Sequence, residues 1–258
     1  LDNASIAALS MELVTNTYLQ ELTFRDTKVD KRGAQDLARC LERNATLTKL
    51  DLAGNNIKAA GLSFLLRGLV NNRSLTFLNL ESNDIKWGAS LDEDWPLFLT
   101  GNSTLRTLIL GYNHLGRRSM CALGRGLAHN KSLRTLDLRV NHIDAAGAQH
   151  LAPFLRDCVG LRTLGLAMNS IGDKGAMALC ESLSRQCHLT ALDLQSHLFQ
   201  QGGLKIGDKG AQHLAEFLST NVSLRRLYLC NNNISDKGLA SLAKALLTNT
   251  SLMCLELQ

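Results

Sequence analysis

Leucines recur along this chain as Leu-x-x-Leu-x-Leu, with a polar residue, most often asparagine, three positions further on, as in LTKLDLAGN from Leu47, LRTLDLRVN from Leu133 and LRTLGLAMN from Leu161. The pattern begins at Leu19, Leu47, Leu75, Leu105, Leu133, Leu161, Leu189, Leu224 and Leu252, in steps of 28, 28, 30, 28, 28, 28, 35 and 28 residues. In Leu-x-Leu, alternate side chains share one face, so the spacing predicts a short strand with its leucines in a core and their neighbours outside. The asparagines (Asn55, Asn83, Asn113, Asn141, Asn169 and Asn232) are expected to hydrogen-bond turn backbone and, stacked, to satisfy polar groups that adjacent layers bury. A second pattern follows, GAxxLAxxL, as in Gly147-Ala148, Leu151-Ala152, Leu155 and Gly210-Ala211, Leu214-Ala215, Leu218. It predicts a helix with one apolar stripe, whose small residues allow close approach to the strand. Each unit therefore reads as strand, turn, helix, turn. Parallel strands stack about 4.8 Å apart and packed helices about 8–10 Å apart, so the expected α/β stack bends into a horseshoe with the strands on its concave side.

The 28-residue unit with long helices resembles the ribonuclease-inhibitor-like class of leucine-rich repeats along the whole chain. The asparagine register and the IGDKGA wording at 171–176 and 206–211 resemble the C-terminal repeat domain of NOD-like receptors. The resemblance implies one leucine-rich repeat solenoid domain over 1–258, of about eight full repeats with partial ones at both ends. Leu9 aligns with Leu37 and Gln258 falls inside the ninth strand, so a portion of a longer polypeptide is expected.

Composition narrows the function. Apolar residues make up 45% of the chain and aromatics only 5%, which suits stacked equivalent layers better than an irregular globule. No apolar run approaches the roughly 20 residues of a membrane span, and a soluble, cytoplasmic protein is expected. The net charge of +5 is not gathered into Lys/Arg runs with aromatics, which disfavours nucleic acid. The seven cysteines are odd in number and form no CxxC pair, and Cys180 stands where other repeats place a helix alanine, so reduced structural thiols are expected. Asn44, Asn72, Asn102, Asn130, Asn221 and Asn249 begin glycosylation sequons, yet each lies three residues before a repeat-starting leucine, and the period explains them without sugar. His114 and His142 follow the repeat asparagine in consecutive units and read as exposed turn histidines rather than ligands. Asp92-Glu93-Asp94 reads as a solvated loop. Arg106, Arg134 and Arg162, with Arg225 further on, form a basic stripe along the leading edge of the strands, where solvent or an acidic protein would meet it. There is no GxSxG, HExxH or P-loop, and neither an enzyme, a cofactor nor a metal is expected.

A solenoid's function resides in residues that the repeat does not need. Among the outward positions, Phe77, Ile109, Tyr112, Val140 and Met168 form an apolar diagonal across repeats three to six, flanked by Glu81, Asp137 and Arg139. Interfaces favour apolar and arginine anchors in a polar surround. Tyr228 on the eighth strand and Phe199 in the seven-residue insertion at 198–204 complete the expected contact set. The expected partner is another protein or, in a longer chain, another domain of it, as for the sensing or regulatory domain of an intracellular receptor. Rival readings are a GTPase-activating protein similar to Ran GTPase-activating protein, whose acidic tail has no counterpart here, an inhibitor similar to ribonuclease inhibitor, and a passive scaffold.

Overall fold

The computed structural model describes residues 2–184, 188–197 and 204–257. Strands and helices alternate throughout: α1 (Asn3–Thr15), β1 (Glu21–Thr23), α2 (Lys31–Leu41), β2 (Lys49–Asp51), α3 (Lys58–Leu69), β3 (Phe77–Asn79), α4 (Leu91–Gly101), β4 (Thr107–Ile109) and α5 (Arg117–Leu127). They continue as β5 (Thr135–Asp137), α6 (Ala145–Leu155), β6 (Thr163–Gly165), α7 (Gly172–Leu183), β7 (Ala191–Asp193), α8 (Asp208–Thr220), β8 (Arg226–Tyr228), α9 (Asp236–Leu246) and β9 (Cys254–Glu256). All the strands join one parallel sheet in sequence order. This is the expected α/β solenoid. Leu50, Leu78, Leu108, Leu136, Leu164, Leu192 and Leu227 pair in register down its middle and are fully buried, each contributing roughly 1.5–3 kcal/mol of burial. Among the described residues no helix is long and apolar enough to cross a membrane.

The GAxxLAxxL stripe is buried as expected, in α6 at Gly147, Ala148, Leu151, Ala152 and Leu155. Its small residues, however, serve helix-to-helix approach rather than approach to the strand. A Cβ on Gly175 of α7 would lie 3.1 Å from the Cβ of Ala148 on α6 and 2.7 Å from Cγ2 of Ile171.

Polar side chains tie layer to layer. Asn141 is fully buried; its Nδ2 donates back to the Leu110 carbonyl at 2.8 Å and its Oδ1 accepts from Leu115 N–H at 3.1 Å. Asn83, Asn113 and Asn169 repeat that bridge. A second ladder runs along the opposite edge. Asn44 Oδ1 accepts from Leu47 N–H and its Nδ2 donates to the Leu13 carbonyl, and Asn72, Asn102 and Asn130 do likewise one layer on. These are sequon asparagines, and their Nδ2 atoms are committed inside the stack. The IGDKGA aspartates act across repeats: Asp173 Oδ1 accepts from the N–H groups of Gly207 and Gly210, at the start of α8. Asp208 accepts from the Ser235 side chain and from the N–H groups of Ser235 and Gly238, bonds that hold its carboxyl below the usual range. Each therefore caps the helix of the following repeat.

Candidate interaction surface

Parallel sheets usually bury both faces. Here the helices cover one face, and the other is left to the outward residues of three-residue strands. The register sets these in rows, the middle one reading Asp51, Asn79, Ile109, Asp137, Gly165, Asp193, Tyr228 and Glu256. Not all of them face solvent. Asp51, Asn79, Ala53 and Ala167, all expected to point outward, are buried. Asp51, Asn79, Asp137 and Asp193 each accept a hydrogen bond from the backbone N–H two residues on, at 3.0–3.1 Å. That local bond bends the chain out of the strand and draws the carboxyl or amide head inward.

At the centre lies a charged group. Asp137 Oδ2 pairs with an Arg139 guanidinium nitrogen at 2.6 Å. The Arg139 stem crosses Gly111, where a Cβ would sit 2.9 Å from its Cγ, so the glycine makes room for it. Gly165 separates Asp137 from Asp193 in the register. Burial raises the Asp193 carboxyl above its ordinary range, and the neighbouring Asp137 charge adds to the shift.

Beside this group runs the rim. Tyr112, Val140 and Met168 occupy consecutive layers, with Tyr112 N–H donating to the Arg139 carbonyl and Val140 N–H to that of Ala167, both at 3.0 Å. Tyr112 is 47% exposed, whereas Val140 and Met168 are half-buried. The residue at this place adopts a left-handed backbone in seven units: φ is +54° at Asp26, +69° at Gly54, +54° at Ser82, +54° at Tyr112, +51° at Val140, +55° at Met168 and +60° at Asn231. Gly and Asn accept that conformation readily; a β-branched valine is a clear outlier. The sequence reading located these side chains and missed their backbone, although Gly54 and Asn231 in the same column were the available signal.

Ile109 is half-buried between Asn79 and Asp137. Phe77 is half-buried one row away, with the Lys49 ammonium 5.8 Å over its ring. Tyr228 is half-buried between Asp193 and Glu256. Phe199 and the rest of 198–203 lie outside the described residues; Leu204, which follows, is exposed.

Other candidates resolve as follows. The 92–94 cluster is not a solvated loop: it forms the first turn of α4, where Asp94 is buried and pairs with Arg67 at 2.8 Å and Ser63 at 2.5 Å. The arginine stripe reaches along the stack, with Arg106, Arg134 and Arg225 donating to carbonyls of the next unit, those of Ser132, Gly160 and Ser251, at 2.8 Å. His114 and His142 are exposed and stack with centroids 5.2 Å apart, and among the described residues no cluster of three or more His, Cys, Asp or Glu could hold a metal ion. Burial pushes the Cys40 thiol up to about 11 and that of Cys180 to about 12.

The Leucine Rich repeat family pattern matches residues 43–66, 71–86, 101–123, 129–152, 161–180 and 220–243, about half of the chain. A comparison with curated proteins gives no significant match. Among solved structures, an internalin C2 from Listeria monocytogenes str. 4b F2365 is 21% identical with a TM-score of 0.55, covering 100% of this chain and 84% of its own, a likeness of fold alone. Leiomodin-1 actin-binding site 2 is 26% identical over 49% of this chain and 74% of its own, with a TM-score of 0.41.

Proposed function

Because this chain belongs to the leucine-rich repeat family, we propose that it binds another protein through its concave strand face and adjoining rim, with Tyr112, Val140 and Met168 at the centre of the contact. One observation carries this reading. Three consecutive units place large apolar side chains on left-handed backbone, at a column where other units hold the small or polar residues Asp26, Gly54, Ser82 and Asn231. The conformation costs roughly 1–2 kcal/mol per non-glycine residue. Strained residues persist where something else requires the side chain, and they cluster at ligand contacts. Ile109 extends the apolar strip inward, the Asp137–Arg139 pair supplies a polar flank, and Phe77 and Tyr228 mark its reach along the sheet. The chain acts in this reading by binding and carries out no chemistry.

The finer reading is the sensing or regulatory domain of an intracellular receptor, similar to those of NOD-like receptors and built on ribonuclease-inhibitor-like repeats. The IGDKGA wording supports it, although its aspartates also serve the stack itself as helix caps. The buried thiols of Cys40 and Cys180 and the sequon asparagines locked into the ladder support a cytoplasmic location. The test is the affinity of a partner, captured by the wild-type chain, for a Tyr112→Asn/Val140→Asn/Met168→Asn variant. A loss of at least about tenfold is expected; equal affinity on a folded variant would remove the rim from the contact.

A further inference from the structure

The 30-residue unit places a second surface on the helix side, away from the strands. Trp87, in the loop before α4, is 37% exposed, and its Nε1 donates to Asp92 Oδ1 at 3.2 Å. The Arg118 guanidinium lies 4.6 Å over its ring. Arg125, about two helical turns further along α5, donates to the Asp92 carbonyl at 2.6 Å. These residues, with Arg117 and His150, line a cavity of about 410 Å³.

The charges there are out of balance. None of Arg117, Arg118 and Arg125 forms an ion pair among the described residues, and the only carboxylate lining the cavity is that of Asp92. Arg117 and Arg118 also occupy the first turn of α5, which has no acidic residue and no side-chain cap. Cations are unfavourable at that positive helix end. A group of this kind lacks an anion. By contrast, the Arg67 guanidinium is paired with the buried Asp94 carboxylate.

We propose that this cavity binds an acidic peptide segment of a partner protein, its carboxylates held by Arg117, Arg118 and Arg125 and its apolar side chains laid against Trp87. Tryptophan and arginine are the residues that dominate interface energetics, and stacking on the ring restricts the Arg118 guanidinium before any ligand arrives. The arrangement does not suit single-stranded nucleic acid, which needs aromatic faces free for bases; one face of Trp87 is already covered and no second Trp, Tyr or Phe lines the cavity. This surface is independent of the rim, and either can fail alone.

The experiment titrates the folded chain with a short fluorescein-labelled peptide alternating glutamate and leucine, beside glutamine–leucine and lysine–leucine controls. Intrinsic fluorescence gives a second readout, since the chain has two tryptophans and Trp95 is fully buried, so acrylamide quenching reports Trp87. Binding of the acidic peptide alone is expected, with Trp87 protected from acrylamide. Arg117→Glu/Arg118→Glu should weaken it at least about tenfold, and that change favours α5 because acids suit a helix start. Arg125→Gln, on an exposed site about two turns away, should weaken it independently. No binding up to about 1 mM, where affinity has fallen to roughly 4 kcal/mol, would overturn the proposal. So would equal binding by the glutamine control or by the arginine variants. Full displacement by millimolar inorganic phosphate would show a small-anion site instead.

Discussion

Val140 carries a β-branched side chain on backbone with φ of +51°, a conformation its own sterics oppose. If the stack itself required a large side chain there, every unit would hold one; outside the three rim units the column holds Asp26, Gly54, Ser82 and Asn231. Val140→Asn is therefore expected to raise stability, by about 1 kcal/mol, as a shift of the urea midpoint. A fall would mean that the valine packs for the fold. Asp193 makes a second residue-scale case. Burial and the Asp137 charge raise its pKa in the folded chain, so the protonated form is the one folding favours. Its contribution is fully present below the ordinary carboxylate pKa and is lost as pH rises through the raised value. Asp193→Asn keeps the acceptor for Gln195 N–H, as Asn79 does for Glu81. The variant should be more stable than wild type at pH 7, with the difference closing below about pH 3.9. A difference that persists in acid would point to packing rather than charge.

At the scale of the element, each strand–turn–helix unit is held to the next by side-chain bridges as well as by leucines. Asn141→Ala would orphan the Leu115 N–H inside the stack and take from the Leu110 carbonyl one of its two amide donors, the other being Asn113, at a cost of about 2–3 kcal/mol. Asn56→Ala, on an exposed side chain in the equivalent turn, should cost nearly nothing. Equal midpoints for the two variants would contradict the ladder's role. The strands, the helix stripe and the asparagines were legible in the sequence because each has a strict local period, and a period is what a repeating backbone imposes on side chains. The acidic 92–94 turn was not legible. Its fate depends on Arg67, 27 residues upstream of Asp94, and no local pattern announces a partner one layer away. The left-handed rim escaped for another reason: Tyr112, Val140 and Met168 are the residue types that most disguise a positive φ, so the departure that matters for the candidate site is also the one that hides it.

Across the whole molecule, the stack separates two tasks. Leucines and asparagines inside it define the solenoid, and their spacing leaves the outer face of each strand free to vary. The helix side carries the arginine cavity beside Trp87, and the strand side carries the rim. Alternate layers along the rim are about 10 Å apart, so Tyr112, Val140 and Met168 span a strip that one helix or extended segment of a partner could cover. The charged Asp137–Arg139 pair lies alongside that strip and would fix orientation more than affinity. The most direct test is the affinity of a captured partner for wild type and for Tyr112→Asn/Val140→Asn/Met168→Asn, with each chain's fold checked by circular dichroism. A folded variant that binds at least about tenfold more weakly is the expected result; a folded variant that binds as tightly as wild type would contradict the rim as the contact.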